Sequence, residues 1–381
     1  MEQREVYLDN SATTQVCEEA AQAVLRAMRQ EYGNAASLHK KGWEAQKLLI
    51  EAKKGLARLL ACEEGEIYFT SGATESNNIS ILGGTAAAKR RGDRIVTTAV
   101  EHASVLACAG ELERQGYEVV KILPREDGNF DPMDFYEAVD DRTVLVSAMY
   151  VNNETGLLLP VEEIGKAVKR KNPNVLFHVD AVQGFLKQPL RLKRSQIDLL
   201  SASGHKIYAP KGVGLLYLRK GVRVKPLFFG GGQQDGIRVG TEAVPLAAGF
   251  YAAAKQVAEH QKQDLAHYEK LKEHLLSRMA QIEDVSINEK GNCVPYIVNL
   301  SVKRVRSEVM LHFLEQYGIY VSSGSACSKG AKSHVLSAFG YADDRIDTAL
   351  RLSFSPQTTK EDLDYFADKL KEGAQTLMKL K

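Results

Sequence analysis

The sequence predicts an α/β fold: a mostly parallel, seven-stranded sheet covered by helices, followed by a smaller α+β unit. Three observations carry this. β-rich apolar runs alternate with helical patterns as far as Gly240. These runs are nearly continuous in apolar character, as strands buried on both faces are. Beyond Gly240 the alternation stops, and one long helical pattern leads into a mixed segment.

Residues 7–13 open the chain as an extended arm. The strand-like runs are 66–70, 95–100, 117–123, 144–151, 175–180, 198–201 and 214–218. Helical patterns lie between several of them, at 76–89 and at 162–171 behind Pro160. Residues 241–282 form a helix long enough to bridge two domains. A strand at 296–302, a helix at 307–317, a loop at 322–329 and a strand at 350–354 follow, then a terminal helix opened by Thr359. The expected division is a large domain, 15–258, and a small one, 1–14 with 259–381.

Composition narrows the function. The 381 residues have 44% hydrophobic content and a net charge of +2, with acids and bases interleaved. That speaks against a nucleic-acid surface as the main role. No apolar run approaches about 18 residues, so no membrane span is expected. The five cysteines, Cys17, Cys62, Cys108, Cys293 and Cys327, are odd in number and scattered without a CxxC. They suit neither a disulfide framework nor an intrinsic metal site, and a reducing cytoplasm fits best.

Two stretches point to chemistry. His178-Val179-Asp180-Ala181-Val182-Gln183 ends a buried strand in a carboxylate, and Ser201-Ala202-Ser203-Gly204-His205-Lys206 ends a strand in a lysine. A buried acid that keeps a ring nitrogen protonated and a lysine that forms a Schiff base are what a pyridine-type aldehyde cofactor needs. Alone, either residue reads as a strand-end cap or a surface lysine.

Further candidates surround them. Thr70-Ser71-Gly72-Ala73-Thr74-Glu75 follows a strand and opens a helix, which suits a phosphate or a simple N-cap. His102, at a strand end, could stack on a flat ring. Asn153 could bond a substrate or cofactor oxygen, or merely make an Asx turn before Gly156. Residues 230–241 are glycine-dense without a nucleotide-binding spacing. Arg351 sits in an apolar strand and needs an anionic partner, from substrate or protein. Cys327, in Ser322-Ser323-Gly324-Ser325-Ala326-Cys327-Ser328, has small polar neighbours that imply an accessible thiol. The other four cysteines read as packing residues.

These pieces, in chain order, resemble the class V, fold-type I pyridoxal-phosphate enzymes, and more narrowly the cysteine desulfurases of the NifS/IscS group. The resemblance spans Tyr7-Leu8-Asp9-Asn10-Ser11-Ala12-Thr13-Thr14, Tyr32-Gly33-Asn34, the Thr70 loop, Glu101-His102, Asn152-Asn153-Glu154, the Asp180 and Lys206 motifs, the triple glycine and the Cys327 loop. It implies that Lys206 carries pyridoxal 5'-phosphate. Asp180 would pair with the ring nitrogen, Gln183 with the ring hydroxyl, and His102 with the ring face. Ala73, Thr74, Ser203 and His205 would hold the phosphate, with Thr241 reaching the site of the other subunit of a homodimer. Asn34, Asn153 and Arg351 would orient L-cysteine. His102 would help deprotonate the substrate thiol, and Cys327 would take the sulfur as a persulfide and pass it to an acceptor protein. With a scaffold partner, Cys327 could also become a cluster ligand. Ala35, Ala209 and Val239 stand where the group usually has proline, glycine and serine. The competing readings are a selenocysteine lyase or aminotransferase of the same fold, or a non-catalytic scaffold.

Overall fold

The computed structural model describes residues 4–323 and 332–377. Eight strands come first in the chain: β1 Val6–Tyr7, β2 Ile67–Thr70, β3 Arg94–Thr98, β4 Glu118–Ile122, β5 Thr143–Met149, β6 Leu176–Asp180, β7 Leu199–Ser203 and β8 Gly214–Leu218. All but β1 form one seven-stranded sheet in the order β2-β8-β7-β6-β5-β3-β4. β8 is antiparallel to both neighbours and the remaining pairs are parallel, so β8 alone runs against the rest. The seven apolar runs of the sequence are these seven strands.

Burial on both faces explains their composition. In β6, Phe177 packs into the apolar cluster on one face and Leu176 into that on the other. Helices α1 Glu18–Arg29 and α2 Lys40–Leu60 pack against the long α8 Val244–Met279, near the first cluster. The second face is covered by α3 Ala73–Asn78, a π-helical turn Ile79–Gly83, α4 Gly84–Ala88 and α5 Ala103–Arg114. Two shorter helices, α6 Pro132–Ala138 and α7 Val161–Lys171, pack on one another. At 1.5 Å per residue, the 36 residues of α8 reach about 54 Å.

The later strands β9 Val285–Ile287, β10 Ile297–Val302, β12 Ser322–Ser323 and β13 Ala349–Ser353 form an antiparallel sheet ordered β12-β13-β10-β9. Around it lie α9 Ser307–Glu315, β11 Ile319–Tyr320, α10 His334–Ala338, α11 Asp343–Asp347 and α12 Lys360–Thr376. Thr359 caps α12 in a reciprocal capping box with Asp362, as its sequence suggests. Among the described residues no helix is long and apolar enough to cross a membrane.

The N-terminal arm joins the two sheets. β1 pairs in parallel with β11, and Ser353 N donates to Leu8 O at 2.7 Å. A few residues on, Thr14 N donates to His205 O and Cys17 N to Tyr208 O, both at 2.9 Å. The arm therefore leaves the small sheet and runs directly beneath the Lys206 loop.

Candidate active site

Register places the candidate residues along one edge. Met149, Asp180 and Ser201 are aligned across β5, β6 and β7. Ser203 faces Gly214, and Gly214 faces Thr70. The carboxyl ends of β2, β5, β6 and β7 thus share one rim, where ligands of open α/β sheets bind. Gly214 makes this close approach possible. A Cβ there would lie 2.6 Å from the Gly72 backbone and 2.8 Å from Ala202 O.

Lys206 lies in the turn after β7. Its Nζ donates to Ser11 O at 2.5 Å and Ala12 O at 2.6 Å. His205 Nδ1 is 3.2 Å from Thr13 Oγ1. Burial, with help from Lys206 and Lys211, pulls His205 down to about 4, so its ring is neutral near pH 7. Gln183 Nε2 donates to Ser11 O at 2.9 Å, while Gln183 Oε1 is buried without a partner among the described residues.

Asp180 is buried at the end of β6. Its Oδ1 accepts from Val182 N at 3.0 Å and its Oδ2 from Asn77 Nδ2 at 2.9 Å. Among the described residues it makes no ion pair. His102 is more than a strand-end residue: β3 stops at Thr98, and His102 is the N-cap of α5, its Nδ1 accepting from Ser104 N at 3.2 Å. Ser104 Oγ is also 2.8 Å from that nitrogen. Burial holds His102 below its ordinary value, against the pull of Asp180 and with help from Lys206 and His334. The preceding Glu101 is wholly buried, and burial lifts its carboxyl to about 8. Glu101 Oε1 accepts from Thr98 Oγ1 at 2.7 Å and Met149 N at 2.8 Å.

The loop from Ser71 to Thr74 enters α3 beside Ser203, with Ala73 half-buried and Thr74 exposed. The glycine-dense segment is fastened rather than loose at its centre. Gln234 donates to Phe69 O and accepts from Phe69 N, both at 2.7 Å, which satisfies the edge of β2. Arg238 pairs with Glu75 at 3.1 Å, tying the same segment to α3. Thr241 is exposed just before α8.

On the substrate side, the Asx turn belongs to Asn152. Its Oδ1 accepts from Glu154 N, Thr155 N and Thr155 Oγ1, and its Nδ2 donates to Val100 O. Asn153 is left half-buried, its carbonyl accepting from Arg351 Nη1 at 3.0 Å. Arg351 Nη2 pairs with Asp9 at 2.8 Å, and Arg351 Nε is buried without a partner among the described residues. Asn34 is exposed, with its Oδ1 accepting from Ala36 N, and the structure does not bring it to this cluster. Cys327 lies outside the described residues. The other four cysteines are free thiols, and burial raises each of them.

The model for class-V aminotransferases matches residues 6–366. The chain belongs to this family. It is 41% identical to cysteine desulfurase 2 of Trichormus variabilis over 365 residues, covering 94% of this chain and 90% of that one. It is 38% identical to cysteine desulfurase IscS of Methanosarcina thermophila, covering 99% and 93%. Among solved structures, a NifS-like protein superposes with a TM-score of 0.93 at 35% identity, covering 98% of this chain and all of that one. A protein titled SspA in complex with cysteine superposes at 0.81, with 29% identity, covering 93% and 100%. The fold is fold-type I, and the family's cofactor is pyridoxal phosphate.

The site fits that cofactor. A buried carboxylate that makes no ion pair among the described residues suits a positively charged ring nitrogen. Gln183 Oε1 is a buried polar atom lacking a partner, and Lys206 stands on the same rim. The sequence reading missed Asn77, Ser104, Ser11 and Asp9. Asp9 and Ser11 stood in the motif that opens the resemblance without a role assigned to them, and Asn77 is wholly buried here.

Proposed function

We propose that this chain is a cysteine desulfurase that converts L-cysteine to L-alanine and transfers the sulfur to an acceptor. The observation that carries the reading is the convergence of Asp180, His102, Gln183 and Lys206 on one sheet edge in a chain 41% identical to a cysteine desulfurase. When bound, pyridoxal phosphate supplies an aldehyde that captures the substrate amine and a ring that takes up the electrons left at Cα.

The roles of the chain's own residues follow from their surroundings. Asp180, fixed through both oxygens, would pair with the ring nitrogen. Gln183, whose amide nitrogen is held by Ser11 O, would offer its unpaired Oε1 to the ring hydroxyl. Ser203 and His205, with Ala73 and Thr74, hold the phosphate, and the neutral His205 acts there as a hydrogen-bonding group rather than a cation. Lys206 Nζ removes the Cα proton. Arg351 and Asn153 bind the substrate carboxylate side.

His102 has a constrained proton inventory. Its Nδ1 accepts the N-terminal bond of α5, so the neutral ring carries its proton on Nε2. Taking the substrate thiol proton would put a hydrogen on Nδ1 and break the cap. Cys327, as thiolate, attacks the substrate sulfur. A sulfur–sulfur bond forms, the carbon–sulfur bond breaks, and the electron pair stays with the carbon, which is protonated and leaves as alanine. An acceptor thiol then removes the outer sulfur from the Cys327 persulfide, for cluster assembly, tRNA thiolation or cofactor synthesis.

The proposal includes the division into 15–258 and 1–14 with 259–381, and a cytoplasmic location. It also includes a homodimer in which Thr241 serves the partner's phosphate site. Leu38, Trp43, Phe228 and Phe229 are exposed apolar side chains suited to such an interface. The test is to supply the chain with cofactor, L-cysteine and a reductant, and to measure alanine and sulfide in equal amounts. Lys206→Ala should abolish both. Full sulfide production by Cys327→Ala would refute the persulfide route.

A further inference from the structure

We propose that Asn77 is a positioning residue that sets both the carboxylate of Asp180 and the tautomer of His102. The inference rests on the cofactor reading of the site and deepens it. Asn77 is wholly buried on α3. Its Nδ2 lies 2.9 Å from Asp180 Oδ2 and 2.9 Å from Ser104 Oγ. A carboxylate only accepts, so the nitrogen of the amide must face Asp180. The two amide hydrogens are thereby divided, one to Asp180 and one to Ser104.

The second bond fixes the direction of the next one. Ser104 Oγ accepts from Asn77, so its single hydrogen points to the remaining close partner, His102 Nδ1, 2.8 Å away. Ser104 N donates to the same nitrogen at 3.2 Å. His102 Nδ1 is therefore an acceptor twice over, and the neutral ring holds its proton on Nε2. Asn77 keeps this orientation although its own Oδ1 is left buried without a partner among the described residues. An unsatisfied buried acceptor is destabilising, so the two donor bonds set the orientation of the amide. One buried amide thus orients the acid expected at the ring nitrogen and the imidazole expected at the ring face. In the same helix, Ser76 instead bonds Thr70 and Leu215 O.

The experiment compares wild type, Asn77→Ala, Asn77→Asp and Ser104→Ala as full chains. Pyridoxal-phosphate affinity is measured by absorbance titration, and the His102 tautomer by nitrogen NMR of histidine-labelled holoprotein. Both Asn77 variants should weaken cofactor binding about tenfold or more, the scale of a lost bond to a charged group. Asn77→Asp, whose carboxylate only accepts and so draws the Ser104 hydrogen to itself, should also change the Nδ1 signal of His102. Ser104→Ala, which keeps the backbone N–H bond to Nδ1 but loses the hydroxyl bond, should change the Nδ1 signal of His102 without removing the Nε2–H form, and should leave cofactor affinity within about twofold, since the Asp180 bond survives. The nearly isosteric Asn77→Asp keeps the test alive if Asn77→Ala does not fold. Wild-type affinity in a folded Asn77 variant, or an Nδ1 signal of His102 unchanged in both Asn77→Asp and Ser104→Ala, overturns the proposal. Failure of the wild type to bind pyridoxal phosphate would instead refute the cofactor reading itself.

Discussion

Arg351 is paired with Asp9, a residue 342 positions away, through Nη2 and Oδ1 at 2.8 Å. The pair joins β13 to the N-terminal arm, next to the bridge between Asp9 and Ser353. The guanidinium in an apolar strand thus has a protein carboxylate as its resident partner, while its Nε remains without one among the described residues. A substrate carboxylate would meet a pre-oriented fork rather than a free side chain. Arg351→Ala should raise the KM for L-cysteine by about ten- to a hundredfold, the scale of a lost charged hydrogen bond. Arg351→Lys should recover little of it, because an ammonium cannot serve Asp9, Asn153 O and a carboxylate together. Steady-state kinetics on both variants decides this.

Gly214 and Gly72 touch where β8 meets the loop before α3. An added Cβ at Gly214 would lie 2.6 Å from backbone atoms, which cannot rotate away. Gly214→Ala should therefore displace the Ser71–Thr74 loop at a cost of about 1–3 kcal/mol. Pyridoxal-phosphate affinity should fall by about tenfold, the equivalent of 1.4 kcal/mol. Gly110, inside α5 with open space at its Cβ position, is the matched control. Gly110→Ala should bind cofactor normally and gain about 0.5–1 kcal/mol of stability. Equal cofactor affinity in the two variants would rule out the loop argument.

The seven sheet strands were legible because strands buried on both faces must be apolar throughout. Thr359 was legible as a cap because Asp362 stands three residues on. The reversal of β8 was not, since an apolar run carries no direction. His102 was expected at a strand end; its capping role depends on where β3 stops, and strand ends are set by pairing. Asp180, Lys206 and Gln183 could be found because each closes a local motif. Asp9 and Asn77 could not be paired with Arg351 and Asp180, because those contacts exist only after the arm crosses between the sheets and α3 docks on β7 and β8.

Two buried groups shape the pH dependence of stability in opposite ways. Glu101 is raised to about 8 by burial, so the folded state holds a proton that the unfolded chain releases above its ordinary 4.5. Its contribution is complete below 4.5 and is lost as pH rises toward 8, by at most about 1.4 kcal/mol per pH unit. His178, buried between Ser147 and Ser201, is lowered to about 3. Its contribution is present above the ordinary 6.5 and is lost as pH falls toward 3. Glu101→Gln, which imitates the protonated acid, should flatten the decline between pH 5 and 8 by about one proton's worth. Urea titrations across that range measure it, and an unchanged slope would show that Glu101 is not protonated in the folded chain.

The thiols should separate sharply in reactivity. Burial lifts Cys62 and Cys293 to about 12 and Cys108 to about 11, and it raises Cys17 as well. At pH 7.5 a thiol at 11 is ionised in roughly one molecule in a thousand or fewer, and only the thiolate is nucleophilic. Cys327 lies outside the described residues, and the proposed persulfide route requires its thiol to be reactive. Brief iodoacetamide treatment of the folded chain should therefore add one carbamidomethyl group, on the peptide containing Cys327. Cys327→Ser should take up close to none in the same time. Alkylation should also stop sulfide release while leaving cofactor binding intact, because Lys206, Asp180 and Gln183 are untouched. Intact-mass and peptide mass spectrometry read the result. Rapid modification of Cys62 or Cys293 instead would mean that those thiols are not shielded as their packing implies.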